Sequence, residues 1–420
     1  MLSYLKYFAR HNFLLRNKIE DVNKLFKLDL NELLELEFMR FQKLVTKAYK
    51  HSKIYQTYYD EHDFKPSKLL SREDIPKIPP IDKQFVRKHY DSILIGSKLI
   101  GARGYTSGTS GSPLCVFRSY GAILTENAYL WHYRIQNEVP IGARFVSIRG
   151  VLDKSKVYYF NKAENTLYIS SYHINRLSIH KIVELIQSFE PLAISGYPSS
   201  LELLSNELSH IGIRLQIPTA FTSSETLYDH QRVKIEQQIS PRLLDWYGNA
   251  ERTIAYAQYG SLYKQLPLYS LIEQRDNTLY STSLINESFP LIRYHITDRL
   301  EFTKPGQTYL ANKIGGRSDD YLLLPDDSKI GRLDIAFKGI DELDYAQFEQ
   351  CSKEEVDLRI VTTPNFSQKE EHTLISNVRA LVGHEITINL LKVTEGEIKK
   401  TAAGEFKLVI NHLLNRDKHV

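Results

Sequence analysis

The feature that most constrains the fold of this chain is an alternation of short apolar segments with amphipathic ones between residues 144 and 246. The predicted strands are RFVSIR (144–149), LAIS (192–195), TAFT (219–222) and LLDW (243–246). The predicted helices between them span residues 178–189, 199–210 and 226–239. Alternation of strands with helices predicts parallel strands joined by crossover helices, so we expect an α/β fold.

The segments on either side of this region predict a helix before it and a smaller unit after it. An apolar residue recurs every three or four positions between Asn31 and about Tyr59, which predicts one amphipathic helix, and the proline run at 76–80 then predicts an extended connection. After Arg317 the chain predicts a helix, a strand (EITINLLKV) and a hairpin-like ending. We therefore place a boundary near 316–321, between a large domain (1–317) and a small one (318–420).

Composition excludes several classes of protein. The chain has 420 residues, of which 42% are hydrophobic and 25% charged, and this apolar content argues against disorder. A net charge of +4 with no basic tail gives no sign of nucleic-acid binding. The N-terminal segment lacks a signal-peptide pattern, no apolar run reaches membrane-spanning length, and two distant cysteines suit a reducing compartment. These features predict a cytoplasmic protein whose N-terminal segment packs on its own domain, with contact to a membrane surface as the alternative.

A glycine- and hydroxyl-rich segment between Tyr105 and Pro113 is the first candidate for a functional loop. Glycine allows the backbone to approach a polyphosphate and to point its N–H groups inward, and Ser and Thr hydroxyls add further donors. The segment lacks the lysine of the GxxxxGK[ST] phosphate loop. By itself, the pattern is also that of a flexible turn. The candidate residues are Thr106, Ser107, Gly108, Thr109, Ser110 and Gly111.

Three further segments combine aromatic, hydroxyl and carboxylate side chains. WYGNAER (246–252) offers an aromatic face in Tyr247 and a carboxylate in Glu251 as a ligand for a hard cation. PLIRYHITD (290–298) ends in Asp298, whose carboxylate can accept hydrogen bonds from two neighbouring hydroxyls. TSSE (222–225) is a candidate for the same site and also for the N-cap of the helix at 226–239, through Ser223 or Ser224, and both roles can hold at once.

In this order, these segments resemble the signatures of the adenylate-forming (acyl-AMP) superfamily, whose phosphate loop reads T-S-G-T-[ST]-G-x-P. The chain is most similar to the branch of phenylacetate–CoA ligases and CapK-type capsule proteins, which it resembles at SSYHIN (170–175), at ISGYPSSLELLS (194–205) and from about residue 35 to the C-terminus. The resemblance implies a large N-terminal domain of mixed and parallel sheets with helices, followed by a mobile C-terminal α/β lid.

The resemblance also implies roles for individual residues. The loop from Thr106 to Gly111 would hold the phosphates, with Thr109 and Glu251 acting in catalysis and Glu251 holding Mg²⁺. Asp298 would bind the ribose and Arg317 would reach the nucleotide, while Asp319 would be the hinge of the lid. The residues beside the purine would be Ser224, Glu225, Tyr247 and Gly248, and Tyr197 and Ser223 would lie near the acyl group.

The C-terminal segment departs from the family pattern. Many members have R-T-x-x-G-K there, and the lysine stabilises charge on the α-phosphate. In KTAAGEFK (400–407), Glu405 stands in the position of that lysine, and an anion cannot perform that role. If 405–410 is a strand, Lys407 lies on the same face as position 405 and is the candidate replacement, with a solvated surface lysine as the alternative.

The function implied by the resemblance is ATP- and Mg²⁺-dependent activation of a carboxylic acid as its acyl-AMP. The acyl group would then pass to CoA or to an amine or hydroxyl of a surface-polysaccharide precursor. The alternative is a non-catalytic nucleotide-binding homologue that acts as a scaffold, and two positions favour it: Glu405, and Ser112 where many members have lysine.

Overall fold

The computed structural model describes most of the chain. The described residues are 13–96, 100–105, 114–149, 156–275, 278–304, 306–315, 321–326, 329–330, 333–337, 340, 342–399 and 408–413. The helices are α1 (Phe13–Leu25), α2 (Leu30–His51), α3 (Lys53–Glu61), α4 (Lys83–Lys88), α5 (Tyr90–Ile93), α6 (Tyr120–Gln136), α7 (Ile179–Phe189), α8 (Pro198–His210), α9 (Asp229–Gln238) and α10 (Gln368–Val382). Short 3₁₀ helices span Pro66–Lys68, Arg72–Lys77, Ser171–His173, Leu333–Phe337 and Glu395–Glu397.

The strands form five sheets within the described residues. The first strands are β1 (Gly101–Tyr105), β2 (Cys115–Ser119), β3 (Phe145–Arg149), β4 (Tyr158–Asn161), β5 (Thr166–Ser170), β6 (Ala193–Gly196), β7 (Thr219–Ser223), β8 (Leu243–Gly248), β9 (Ala255–Tyr259), β10 (Leu262–Gln265) and β11 (Ser270–Arg275). The others are β12 (Thr278–Ser283), β13 (Tyr294–Ile296), β14 (Arg299–Lys304), β15 (Gln307–Gly315), β16 (Leu322–Leu323), β17 (Lys329–Ile330), β18 (Leu343–Gln350), β19 (Glu355–Thr362), β20 (Thr387–Lys392) and β21 (Val409–Asn411).

A ten-stranded sheet in the order β14-β15-β10-β9-β8-β7-β6-β3-β5-β4 forms the centre of the fold. Its central strands β8, β7, β6, β3 and β5 are parallel, which confirms the arrangement predicted from strand–helix alternation. Helices α7, α8 and α9 cover one face, where Val146 and Ile148 of β3 are buried. On the opposite face, Phe145 packs with residues of α1 and α6. Both faces of the parallel strands are therefore covered, as such strands require.

The N-terminal segment packs on the large domain where it is described. Leu15, Ile19 and Val22 of α1 are buried in the same apolar cluster as residues of α6. Asn23 of α1 hydrogen-bonds to His132 of α6 through Oδ1 and Nδ1 at 2.6 Å. The prediction that this segment packs on its own domain is thus confirmed for residues 13–25. Among the described residues, none of the helices combines the length and the apolar character that a bilayer span requires.

The helix predicted from Asn31 to Tyr59 is interrupted, which corrects the expectation of one continuous helix. Ser52 is extended (φ −118°, ψ 112°) and separates α2 from α3. Its buried hydroxyl donates to the backbone oxygen of Ser92 at 2.6 Å, a contact distant in sequence. Apolar periodicity continues through such a break because both helices present their apolar side to the same core.

The C-terminal residues form a four-stranded sheet in the order β20-β19-β18-β21, covered by α10. An apolar cluster runs from Leu322 to Val409 in this part of the chain. Strand β21 pairs in parallel with β18, so the described part of the C-terminus does not form the predicted hairpin. The boundary near 316–321 stays a prediction, because residues 316–320 lie outside the described part.

Candidate functional site

The candidate site lies where the central parallel strands end. Tyr197 directly follows β6, Ser223 is the last residue of β7, and Tyr247 and Gly248 are the last two of β8. Carboxyl ends of neighbouring parallel strands meet at one edge of a sheet, which is where open α/β sheets bind ligands. Strand pairing therefore brings together residues that the sequence predicted from three separate segments.

Two pairs of a tyrosine and a carboxylate form the centre of this site. The Tyr247 hydroxyl donates to Oδ2 of Asp298 at 2.6 Å, and the Tyr294 hydroxyl donates to Oε1 of Glu251 at 3.1 Å. Tyr294 lies on β13, and Asp298 lies between β13 and β14. The structure thus brings the WYGNAER and PLIRYHITD segments into direct contact.

Burial determines the electrostatics of these pairs. Desolvation raises the pKa of Glu251, the nearby positive charge of Lys83 opposes this effect, and the charge of Asp298 adds to it. Desolvation, and next the charge of Asp298, raises the pKa of Tyr247 well above its usual value, so this phenol stays a hydrogen-bond donor. A divalent cation would stabilise the ionised form of Glu251, and an oxygen ligand of this kind suits Mg²⁺.

Lys83 was not predicted as part of the site, and a backbone pairing explains its position. The amide of Ile81 donates to the Arg293 oxygen at 3.2 Å, and the amide of His295 donates to the Ile81 oxygen at 2.9 Å. This parallel bridge holds the proline-rich segment beside β13, so that Lys83 at the start of α4 comes close to Glu251. The proline run predicted an extended segment but carried no signal for the strand beside it.

The loop that carries Glu251 is held by the β1–β2 hairpin and by α6. The Nε atom of Arg118 on β2 donates to the backbone oxygen of Ala250 at 3.2 Å. An added Cβ at Gly104 on β1 would lie 2.2 Å from the Arg118 guanidinium carbon, so glycine at this position lets Arg118 pass over β1 without being displaced. Arg252, in the left-handed region at φ 58°, forms an ion pair with Glu126 of α6.

The β1–β2 hairpin flanks the predicted phosphate loop in the sequence. Tyr105 on β1 pairs with Cys115 on β2, and the connection between these strands contains the predicted loop. The loop residues themselves, with Arg317, Asp319 and Lys407, lie outside the described part of the chain, so their roles stay predictions.

Ser223, Ser224 and Glu225 lie at the candidate site as well. Glu225 accepts a hydrogen bond from the amide of Ser199 in the first turn of α8, at 3.1 Å. Ser224 is in the left-handed region at φ 71°. Helix α9 begins at Asp229 with Tyr228 as its N-cap, so the alternative in which Ser223 or Ser224 caps this helix is wrong.

A buried polar network behind the site links β7 with β8. Thr222 donates to Oδ1 of Asp245 at 2.6 Å, and Tyr263 donates to Oδ2 of the same carboxylate at 2.7 Å. Burial raises the pKa of Asp245 and these hydrogen bonds oppose that effect. The network positions the ends of β7 and β8, which carry Ser223 and Tyr247. No sequence pattern predicted this network, because alternation indicates only that Thr222 and Asp245 lie on strands.

A second cluster, of Glu349, Cys351 and His412, has ligand types suited to a metal, with these ligand atoms within 4.8 Å of one another. Its carboxylate is already occupied, since it accepts hydrogen bonds from Arg359 Nε at 3.0 Å and from Lys399. Burial would raise the pKa of Glu349, but the hydrogen bonds from Lys399, His412 and Arg359 lower it to about 2. Because Arg359 and Lys399 already bring two positive charges to this carboxylate, binding of a metal cation there is disfavoured. The cluster therefore acts as an ion-pair centre of the C-terminal sheet.

Comparison with known proteins finds relatives over most of the chain. A family profile described as the CapK C-terminal domain matches residues 322–412. The chain is 25% identical to Protein CapK of Staphylococcus aureus over 314 residues, which cover 70% of each chain. It is 23% identical to a phenylacetate-coenzyme A ligase of Thermus thermophilus over 328 residues, covering 70% of this chain and 72% of that protein.

Solved structures give the same result at the level of the fold. The 2-hydroxyisobutyryl-CoA ligase in its thioesterification state, in complex with 2-HIB-AMP and CoA, superposes with a TM-score of 0.55 at 16% identity, covering 93% of each chain. In its postadenylation state with R3-HIB-AMP, the same ligase also has a TM-score of 0.55, at 17% identity and 91% coverage of each chain. Similarity at this identity concerns the fold alone, and it confirms the fold class predicted from the sequence.

Proposed function

Because this chain is a homologue of CapK and of the phenylacetate–coenzyme A ligases and has the fold of adenylate-forming enzymes, we propose that it is an AMP-forming ligase that activates a carboxylic acid with ATP. A carboxylate oxygen of the acid attacks the α-phosphorus of ATP, a new P–O bond forms, and the bond to the leaving oxygen breaks. Pyrophosphate leaves, and the product is a mixed anhydride of the acid with AMP.

The observation that carries this proposal is the contact of Tyr247 with Asp298 beside the pair of Tyr294 and Glu251. The ring of Tyr247 would face the adenine, and the Asp298 carboxylate would accept hydrogen bonds from the ribose hydroxyls. Beside Gly248, an added Cβ would meet its nearest atom at an ordinary 3.5 Å, so packing within the protein does not require glycine there. Close approach of a base would require it.

Glu251 would hold Mg²⁺, which when bound neutralises phosphate charge and polarises the α-phosphate. The backbone and hydroxyl groups of the loop from Thr106 to Gly111 would bind the phosphates, with Thr109 closest to the reacting centre, and Arg317 would contact the nucleotide. The domain of residues 318–420 would move about Asp319 as a lid. Lys407 would bring positive charge to the α-phosphate in place of the lysine that Glu405 replaces.

The acyl group would then pass from AMP to a nucleophile, with CoA as the first candidate acceptor. The relation to CapK supports a second candidate, an amine or hydroxyl of a surface-polysaccharide precursor, with the reaction in the cytoplasm. In both cases the nucleophile attacks the acyl carbon, its proton is lost, and AMP leaves. Tyr197 and Ser223 would lie near the acyl group.

The test is release of pyrophosphate from ATP across a panel of carboxylic acids, with and without Mg²⁺. We expect acid-dependent release by the wild type and a loss on the order of tenfold or more in Glu251→Gln. Glu190→Gln is the matched control, because Glu190 is an exposed carboxylate paired with Arg144 far from the site. Equal activity of Glu251→Gln and wild type at limiting Mg²⁺ would refute the assignment.

The second candidate function is a non-catalytic nucleotide-binding scaffold, which Glu405 and Ser112 favour. In that case calorimetry would detect ATP binding that depends on Asp298 and Tyr247, while no acid in the panel would cause pyrophosphate release.

A further inference from the structure

Two arginines that have no acidic partner among the described residues lie beside the proposed acyl site. Arg134 is in the last turn of α6, and Arg149 is the last residue of β3. The Nε–H group of Arg134 is buried and donates to no acceptor among the described residues. Arg149 donates from Nε to the hydroxyl of Ser147 at 3.2 Å, and neither guanidinium forms an ion pair within the described part of the chain.

The surroundings of Arg134 are aromatic. Its guanidinium carbon lies 4.6 Å from the ring centre of Phe145, 5.0 Å from that of Trp131 and 5.9 Å from that of Phe221. Burial, and next the positive charge of Arg149, lowers the pKa of Arg134 to about 10. Arg134 nevertheless keeps part of its surface accessible to solvent. Contacts with ring faces stabilise a cation, but they replace neither a counter-ion nor the missing hydrogen-bond acceptor.

Strand register connects these arginines with the acyl site. Ser147 on β3 is level with Ser195 on β6, and Gly196 is level with Thr222 on β7. If the first register is continued by two residues, Arg149 lies beside Tyr197, and if the second is continued by one, Tyr197 lies beside Ser223. All three residues then lie at the same height, at the carboxyl edge of the sheet. Parallel neighbours lie about 4.8 Å apart, so Arg149 and Ser223 are separated by two strand spacings, roughly 10 Å.

Side-chain alternation puts these residues on the same face of the sheet. Phe145, Ser147 and Arg149 alternate with Val146 and Ile148, which point to the opposite face. Arg134 on α6 packs against the Phe145 side. Two positive charges thus lie on the face that continues to Ser223, with Arg134 against the Phe145 ring and Arg149 against the Tyr168 ring.

From this geometry we infer that Arg134 and Arg149 bind a second anionic group of the carboxylic acid substrate, most simply the second carboxylate of a dicarboxylic acid. The inference rests on the proposed function, because it identifies the anion with part of the acid that the enzyme activates. One carboxylate would react near Ser223 and Tyr247, and the other would be held by the guanidinium groups through charge-assisted hydrogen bonds.

The chain contains a direct reporter for this site. Its two tryptophans are Trp131, which contacts Arg134, and Trp246, which pairs with Ser223 across β7 and β8. Tryptophan fluorescence therefore measures binding here without any turnover. The ligands are matched pairs of a monoacid and a diacid: hexanoate with adipate, and phenylacetate with 4-carboxyphenylacetate.

We expect wild type to bind each diacid at least about tenfold more tightly than its monoacid, since a hydrogen bond between charged groups has an effect of this size. Arg149→Met should lose this preference, and Arg149→Lys should keep part of it. Arg144→Met is the matched control, because Arg144 directly precedes β3, at the end opposite Arg149, and is paired with Glu190. Arg134→Met should also lose the preference and unfold at a higher temperature, because an unpaired buried charge is removed.

Several outcomes would overturn the inference. They are equal binding of mono- and diacids by wild type, a diacid preference that survives in Arg149→Met, and a lower unfolding temperature of Arg134→Met, which would make that arginine a structural cation. Binding of CoA that depends on Arg149, without a diacid preference, would assign the arginines to the acceptor instead.

A parallel pyrophosphate assay separates this inference from the proposed function. Equal pyrophosphate release with each monoacid and its diacid, in wild type and in Arg149→Met alike, would keep the proposed function and refute the second anionic group. Binding of diacids that depends on Arg149, without pyrophosphate release from any acid, would keep the anion site and refute the ligase activity.

Discussion

At the scale of single residues, the candidate site combines two carboxylates with the two phenols that donate hydrogen bonds to them. Glu251 and Asp298 each accept a hydrogen bond from one tyrosine hydroxyl. The charges of both carboxylates raise the pKa of Tyr247. A binding site for a polyphosphate and its cation requires such groups to be ionised yet protected from water. Residue-scale predictions therefore concern charge and hydrogen bonding rather than packing.

Glu251→Gln should separate stability from activity. Burial raises the pKa of Glu251 in the folded state above its usual 4.5. Protonation of Glu251 therefore stabilises the folded state, and this contribution is complete below pH 4.5. It is lost as the pH rises through the pKa of the folded state. The glutamine does not titrate. We therefore expect the variant to unfold at a higher temperature than wild type at pH 8 and to show a smaller difference at pH 5, as measured by calorimetry. A difference independent of pH would contradict this explanation, and Glu190→Gln should show no such trend.

Tyr247→Phe should weaken nucleotide binding without removing the aromatic face. The variant loses the 2.6 Å hydrogen bond to Asp298, so that carboxylate is no longer oriented toward a ligand. A hydrogen bond to a charged group contributes about 1.5–3 kcal/mol, so we expect a loss of about tenfold or more in ATP affinity by calorimetry. Tyr247→Ala should lose more, because the ring is removed as well. Tighter binding by Tyr247→Phe would mean that the phenol competes with the ribose for Asp298.

At the scale of secondary-structure elements, a buried ion pair anchors the proline-rich segment to the sheet of β11, β12 and β13. Arg293, buried at φ 49°, donates from Nε to the Glu273 carboxylate at 2.8 and 3.0 Å and from Nη1 to the backbone oxygens of Pro76 and Ile78. The Tyr280 ring lies 4.9 Å from its guanidinium carbon. This anchor holds Ile81 beside β13, so Lys83 reaches the site through it.

Arg293→Met should destabilise the protein by about 3–5 kcal/mol, because the Glu273 carboxylate stays buried without its partner. The double variant Arg293→Met with Glu273→Met removes both charges and should recover part of that loss. Urea unfolding of the two single variants and the double variant measures the coupling. Additive losses would show that the two side chains contribute independently.

At the scale of the whole molecule, the proposed mechanism divides two half-reactions between a large domain and a lid. The C-terminal unit has its own apolar cluster and its own sheet. Lys399 directly precedes residues 400–407, the segment that departs from the family pattern. Its ammonium group donates a hydrogen bond to the Glu349 carboxylate on β18. This contact leaves Lys407 as the preferred replacement for the lysine missing at position 405.

Lys407→Ala should slow acyl-AMP formation by about 100-fold, the effect of removing one group that stabilises developing charge, and should leave acyl transfer from synthetic acyl-AMP nearly unchanged. Glu405→Lys should accelerate the first step by restoring positive charge. Single-turnover measurements of both half-reactions on both variants test this division. Parallel losses in the two steps of Lys407→Ala would contradict it.

Local sequence patterns were sufficient to predict the parallel arrangement of the central strands and the helices that connect them. This was possible because apolar periodicity and strand–helix alternation are local properties that the backbone geometry converts into elements. The resemblance of residues 246–252 and 290–298 to family motifs also indicated Tyr247, Glu251 and Asp298, and the chemistry of an aromatic ring and of carboxylates suits the roles of those motifs. The break at Ser52 escaped detection, because apolar periodicity continues across it.

Only the tertiary structure decided which of these residues meet. Tyr247 and Asp298 are 51 positions apart, and Tyr294 and Glu251 are 43 apart, so no local pattern encodes their contacts. The bridge from Ile81 to Tyr294, the parallel pairing of β21 with β18 and the position of Arg134 beside Phe145 are of the same kind. These contacts form because apolar faces of distant segments are buried against one another. That burial selects one strand register, and the register places the polar side chains at the edge of the sheet.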